Sequence, residues 1–309
     1  KKLTMTSELN LRRSLLLKND ISSANLRNAD LKKTNLKGFD FTSKDLTGSN
    51  LREAYLIESN FNRAILRDAN LSGAKMNGIK DHNNNISSVS MIKADLQGAN
   101  LSRANLRHAD LTGANLKNTN LKEAILGTAC FRDTILDGAD LEGADLSKAF
   151  FAGSNLTNAN LNKTNCQGTK FNNAILLGCT FKNANLKKVD LSNHDLRRVD
   201  FSEADLRKTD LRKSDLRESR LFMADLSNAI LSEANLSFAY LSSAIMKNAD
   251  LQWANLENAI LRYSTNLTSN QIQSARINRE TRVPNYLKVH WISEVDFMCE
   301  LKIKINENL

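Results

Sequence analysis

The chain has 309 residues, 41% hydrophobic and 25% charged, with 43 Lys plus Arg against 34 Asp plus Glu and a formal net charge of +9. This composition is globular and excludes a disordered chain. No run approaches the ~18 consecutive apolar residues of a membrane span, and no apolar leader follows Lys1 and Lys2, so a soluble chain is expected. Twelve Gly and a single Pro, Pro284, are too few for the turns of a loop-rich fold. The charge is graded, from +6 over residues 1–100 to +3 over 101–200 and zero beyond. Cys130, Cys166, Cys179 and Cys299 have neither metal nor disulfide spacing and are expected as reduced, mostly buried thiols.

In chain order, residues 1–20, with Leu9, Leu11, Leu15 and Leu17, are expected to cap the N-terminal end. A period of five then dominates. Of the 51 positions taken every fifth residue from Leu11 to Leu261, 50 are Leu, Phe, Ile, Met or Cys, and the exception is Asp81. Ala, Ser or Thr stands two residues before most of these, with Asp or Asn between, as in Ala99-Asn100-Leu101. Five fits neither an α-helix, where the leucines would smear over every face, nor a continuous strand, where they would alternate between faces. Within one pentad, however, Ala and Leu share a face. The chain must therefore bend once per pentad, always with the same two residues inside.

Phe occupies the central position at 41, 61, 131, 151, 171, 181 and 201; four pairs are twenty apart and none is fifteen apart. Rings stacked on successive coils then require four pentads per coil, and residues 21–265 make about twelve coils.

This Ala-(Asp/Asn)-Leu-x-x register resembles the pentapeptide-repeat family over about four fifths of the chain. The resemblance implies an all-β fold, a right-handed quadrilateral β-helix. It also implies a non-enzymatic protein-binding scaffold, known as a bacterial cytoplasmic regulator or as an effector secreted into host cells, and in some members a mimic of duplex DNA that binds a topoisomerase. The +9 charge argues against mimicry, which needs an anionic rod; a local acidic strip exists at Asp133, Asp137, Asp140, Glu142 and Asp145.

The pattern breaks between residues 77 and 90. Asp81 falls on an inward position, where an unpaired carboxylate costs several kcal/mol. Because Met76 and Met91 stay in phase, a looped-out insert of five or ten residues is expected, its tip formed by Lys80, Asp81, His82, Asn83, Asn84 and Asn85. Phe39, Lys44, Val189, His194 and Val199 replace the inward Ala. Phe39 and Lys44 are expected at a bulge or corner, and His194 as a buried, hydrogen-bonded neutral imidazole with no catalytic role.

Two outward features remain. Lys187, Lys188, Arg197, Arg198, Arg207, Lys208, Arg212, Lys213 and Arg217 form a basic girdle, interleaved with Asp190, Asp195, Asp200, Asp205, Asp210 and Asp215. It reads as an ion-pair lattice, with a phosphate-tracking groove as the alternative. Phe222, Met223, Phe238, Tyr240, Ile260 and Tyr263 then form an apolar patch near the C-terminal end. Residues 266–309 are expected to fold back as a partly helical, otherwise irregular cap. Thr268 would N-cap a helix to about Arg276, and the tail would cover part of the patch. A homodimer through the same end is the alternative. No Gly-rich phosphate loop, catalytic grouping, metal set or cofactor motif is present, so an enzyme is not expected. The partner would be an unidentified protein, and the compartment the cytoplasm or, as an alternative, a host cell.

Overall fold

The structure, a computed structural model, describes residues 24–80 and 82–302. The expected cap over residues 1–20 and the inward Asp81 lie outside the described residues. The chain divides into two compact units, residues 1–140 and 141–309.

The same local chemistry builds both units. In most pentads the amide of the next inward residue, usually Ala, donates to the carbonyl of the central residue, as from Ala104 to Leu101 and from Ala234 to Leu231, both at 3.0 Å. The second residue after the centre has positive φ, 57° at Arg103 and 59° at Glu233, while the first has not. That is the type II pattern, reached here mostly without Gly. The outward Asp or Asn ties the turn together: its Oδ1 accepts the amide two residues on, as from Arg207 to Asp205 at 3.1 Å. This explains why the residue between Ala and Leu is so often Asp or Asn, and why twelve Gly suffice.

Stacking in unit 1 follows a spacing of twenty. Asp30 bridges Asn50, and Asn50 bridges Asn70, in parallel. Each rung is fastened on both sides, with the Leu51 amide on the Asn70 carbonyl at 2.7 Å and the Asn70 amide on the Ser49 carbonyl at 2.9 Å. The bridges are single residues between turns, so the pentads do not merge into long strands. Inside, Leu and Phe stack with Ala from neighbouring coils at 0–1% exposure; Phe41 and Phe61 lie parallel with centroids 4.7 Å apart. Phe39 and Lys44 are half-buried, but no bulge forms there: the amides of Asn60 and Ile65 still bond their carbonyls at 2.9 Å, so the larger side chains are absorbed without breaking the ladder.

Residues 60, 65, 70 and 75 pair instead with 90, 95, 100 and 105, thirty residues on, after which the spacing returns to twenty. Ten residues are therefore looped out. They form a small hairpin in which β1 (Ile79–Lys80) pairs antiparallel with β2 (Ile86–Ser87). Gly78 sits at its base against Ile86 and His108, where an added Cβ would lie 2.6 Å from Ile86 Cγ2 and 2.9 Å from His108 Cβ. Only a residue without Cβ allows this approach.

Unit 2 repeats the plan from Asp145, bridged to Asn165, through Ile245, bridged to Thr265. Beyond the repeat, α1 (Ser269–Gln273) starts with a capping box between Thr268 and Gln271, as its sequence predicts, but ends at Gln273, short of Arg276. The side-chain amide of Gln271 donates to the carbonyls of Met246 and Ala249 at 2.9 and 2.8 Å. Arg276 and Arg282 then bridge Asn255 and Ile260 in parallel. The remaining tail is not irregular: β3 (Leu287–Trp291) and β4 (Phe297–Leu301) form an antiparallel hairpin. Leu287, Val289 and Trp291 share one face with Phe297 and Cys299, and Arg279 lies 5.5 Å over the Trp291 ring. The four cysteines are free thiols; burial pushes Cys166 and Cys179 up to about 12, which makes them poor nucleophiles.

Candidate functional site

In unit 1 a surface hollow of about 620 Å³ is lined by Arg52, Glu53, Arg103, Lys122 and Glu123, but Arg52 pairs with Glu53 at 2.9 Å and Arg103 with Glu123 at 2.8 Å, so its charges hold one another and the candidate site is the outer surface. The hairpin between residues 77 and 90 projects from unit 1 with Lys80, His82, Asn83, Asn84 and Asn85 all exposed. At its base the Gly78 amide bonds the Arg107 carbonyl at 2.7 Å, and His108 Nδ1 lies 2.7 Å from Thr128 Oγ1. Burial, assisted by the charges of Arg107 and Lys80, holds the His108 imidazole below its usual range.

The basic residues of unit 2 do not line one groove. The twenty-residue repeat stacks Lys187 and Lys188 with Arg207 and Lys208 at one corner, and Arg197 and Arg198 with Arg217 at another; Arg212 and Lys213 occupy a third. Four of the arginines fold back as forks onto the outward Asp two residues earlier. Arg197 holds Asp195, Arg207 holds Asp205, Arg212 holds Asp210 and Arg217 holds Asp215, with Nη2 to Oδ2 at 2.6 Å in the first, second and fourth. Arg198 pairs with Glu218 at 2.9 Å and Lys213 with Glu233 at 3.6 Å. Asp200, buried, is met by Lys182 at 3.2 Å and Arg220 at 3.8 Å. The acidic strip is likewise partnered, Asp137 by Lys117 at 2.9 Å and Glu142 by Lys163 at 2.7 Å.

The hydrogen bonds from Arg, partly opposed by burial, hold Asp195, Asp205, Asp210 and Asp215 below the usual carboxylate range. A folded-state pKa below the unfolded one means stability that is present at neutral pH and lost as pH falls through the folded value. The unfolding midpoint is therefore expected to stay level from neutrality to about pH 5 and to fall below about pH 4. Solvent and salt screen these forks, so each is worth little alone and the effect should show only in the set. Replacing all four arginines with Ala should flatten part of that acid limb at low salt; an unchanged limb would locate it elsewhere.

The apolar residues do come together. Tyr240 and Ile260 are consecutive rungs of one column, Phe238 lies in the turn before Tyr240, and Phe222, Met223 and Tyr263 occupy the following corner. Over its described residues, to 302, the tail does not cover them as its apolar sequence suggests. Phe222, Met223, Phe238, Tyr240 and Tyr263 are 44–68% exposed, and Ile260 alone is half-buried, because β4 lies against α1 and Arg282 bridges Ile260. Trp253, 74% exposed on another corner, is a further displayed aromatic that the sequence reading passes over; the rule that singles out Tyr263, an aromatic two residues after the centre, finds it too. His194 is half-buried rather than buried, with Nδ1 2.9 Å from the Ser192 carbonyl oxygen and Nε2 2.8 Å from that of Phe171.

Single-residue parallel bridges every twenty residues, turns every five and a filled interior define a repeat solenoid of the pentapeptide class. The chain matches the family described as Pentapeptide repeats in eight copies, over residues 7–43, 45–80, 90–127, 134–168, 164–202, 195–232 and 224–262, and it belongs to that family. Membership implies the right-handed quadrilateral β-helix. Among solved structures it is similar to HetL, a pentapeptide repeat protein involved in heterocyst differentiation regulation from the cyanobacterium Nostoc sp. Strain PCC 7120. Identity is 29%, over 79% of this chain and 94% of that one, with a TM-score of 0.32. It is similar to QnrB1, a plasmid-mediated fluoroquinolone resistance protein, at 19% identity over 65% and 92% of the two chains, with a TM-score of 0.44. A pentapeptide repeat protein from the Arabidopsis thaliana thylakoid lumen shares 30% identity over 42% and 69%, with a TM-score of 0.25. Comparison with curated proteins gives no match. Among the described residues no helix is long and apolar enough to cross a membrane.

Proposed function

We propose that the chain is a non-catalytic scaffold that binds a protein partner through side chains displayed on its β-helical units, the C-terminal segment 266–302 closing the last coil. The exposed patch of Phe222, Met223, Phe238, Tyr240 and Tyr263 supports this reading most directly. Contiguous apolar surface of this kind costs solubility and marks interaction surfaces. Ordinary pentads place Asn, Asp, Ser or Lys where these residues stand, so the fold itself has no need of them. Phosphate tracking is disfavoured by the same surface chemistry, since the forked guanidinium groups already hold carboxylates.

The test is affinity capture by the immobilised chain, comparing wild type with Phe222→Ser/Tyr240→Ser and with a variant lacking residues 79–88. Both variants should fold: the first changes exposed positions, worth about 0.5 kcal/mol each, and the second removes ten residues outside the ladder. A partner that is held by wild type and lost from the patch variant supports the proposal, whether it is another protein or a second copy of this chain. Equal capture by all three chains would dismiss it.

A further inference from the structure

The coil-to-coil ladder of unit 2 lapses in one place. From the coil beginning near Leu191 the pairing is regular, with the amides of Leu191, Asn193 and Leu196 on the carbonyls of Asp210, Arg212 and Asp215 at 2.8, 2.9 and 2.8 Å. One coil earlier, among the described residues, the corresponding amides of Asn173 and Leu176 show no backbone hydrogen bond to the next coil, nor does that of Asp195 toward Ala174. Lys170 still bridges Asp190, but no bridge joins Ile175 to Asp195. The coil is sound on either side, Cys166 to Asn185 at 2.8 Å and Phe181 to Asp200 at 2.7 Å. The separation shows as a cavity of about 290 Å³ lined by Asn172, Asn173, Asp190, Ser192, Asn193 and His194. Ala174 reaches 7% exposure there, where inward alanines of other coils, such as Ala234 and Ala254, are at 0–1%.

His194 stands at this gap, in the place of the inward Ala. Thr in that place uses one of two carbonyls: three residues back, as Thr134 to Phe131 at 2.7 Å, or 23 residues back, as Thr169 to Leu146 at 2.7 Å and Thr209 to Leu186 at 2.9 Å. His194 addresses the same acceptor through Nε2, the carbonyl of Phe171, 23 residues back, at 2.8 Å. The imidazole carries Nε2 two bonds farther from Cβ than a hydroxyl oxygen, so the same bond from the same position demands more room between coils. Val189 and Val199, β-branched residues at the adjacent inward positions, add bulk on both sides.

We infer that His194 is a wedge that holds this seam open, making residues 171–176 and 190–195 the place where unit 2 flexes and first parts its coils. Peptide groups that neighbouring coils pair are here left to solvent, which lowers the local opening free energy. Amide hydrogen exchange on the full chain tests this, comparing wild type with His194→Thr and His194→Ala. Thr can keep the bond to Phe171 on a short arm, and Ala removes it. Both residues recur at this position of the repeat, so both variants fold. In wild type the amides of Asn173, Leu176 and Asp195 should exchange about 100-fold faster than those of Leu191, Asn193 and Leu196. In either variant the seam should close and that difference should shrink at least about tenfold. Wild-type seam amides as protected as their neighbours would overturn the inference, as would fast exchange unchanged in both variants.

Discussion

Phe61→Ala is expected to lower stability by about 3–5 kcal/mol, read as a shift of the chemical-denaturation midpoint. The ring is fully buried and lies on Phe41 at a 12° interplanar angle. Two features make the loss large. Four columns of backbone bonds fix the spacing between coils, so neighbouring layers cannot settle into the space the ring leaves. The interior is also one side chain thick, and no second shell can rotate inward. Because each coil touches only its neighbours, the damage should be local, with amides of residues 41–66 losing protection before those near residue 120. Phe61→Leu restores the usual residue of the repeat and should cost less than half as much. Equal costs for the two variants would show that the ring stack is not what holds these coils.

Ala224→Asp should be at least as damaging at neutral pH. Ala224 is 0% exposed and is flanked, twenty residues away on each side, by Ala204 and Ala244 at 1% and 0%. A carboxylate there has no cation and no water, a penalty of several kcal/mol that the group escapes by staying protonated. Its folded-state pKa would lie above the unfolded one. The destabilisation is then largest above the unfolded value and shrinks as pH falls toward about 4. Ala224→Ser provides the contrast, because this position accepts an uncharged hydroxyl whether it reaches a carbonyl, as Ser214 does on Leu211 at 2.7 Å, or stays buried without a partner, as at Ser219. If the Asp variant matched the Ser variant at pH 7, the inward assignment of the position would be wrong.

That same penalty is what made the excursion legible. An inward Asp81 would be costly, Met76 and Met91 keep phase, and the bridges there run thirty residues on where others run twenty. Coil size was legible too, because phenylalanine rings twenty apart do stack, Phe151 on Phe171 and Phe181 on Phe201, both at 5.4 Å. The tail was not. Leu287, Val289 and Trp291 alternate with Lys288 and His290 as a half-buried strand does, but a five-residue run between irregular segments competes poorly with a general reading of apolar residues as docking surface. The seam at His194 was out of reach for another reason. An imidazole in an alanine slot can be accommodated by tilting inward or by parting the coils, and that choice depends on the layers above and below, not on the pentad.

Because the looped-out segment leaves every later rung in its proper column, the gene can gain or lose material in blocks of five codons, or multiples of them, without disturbing the coils downstream. New surface can thus be trialled as an added block at one site while the interior is inherited unchanged.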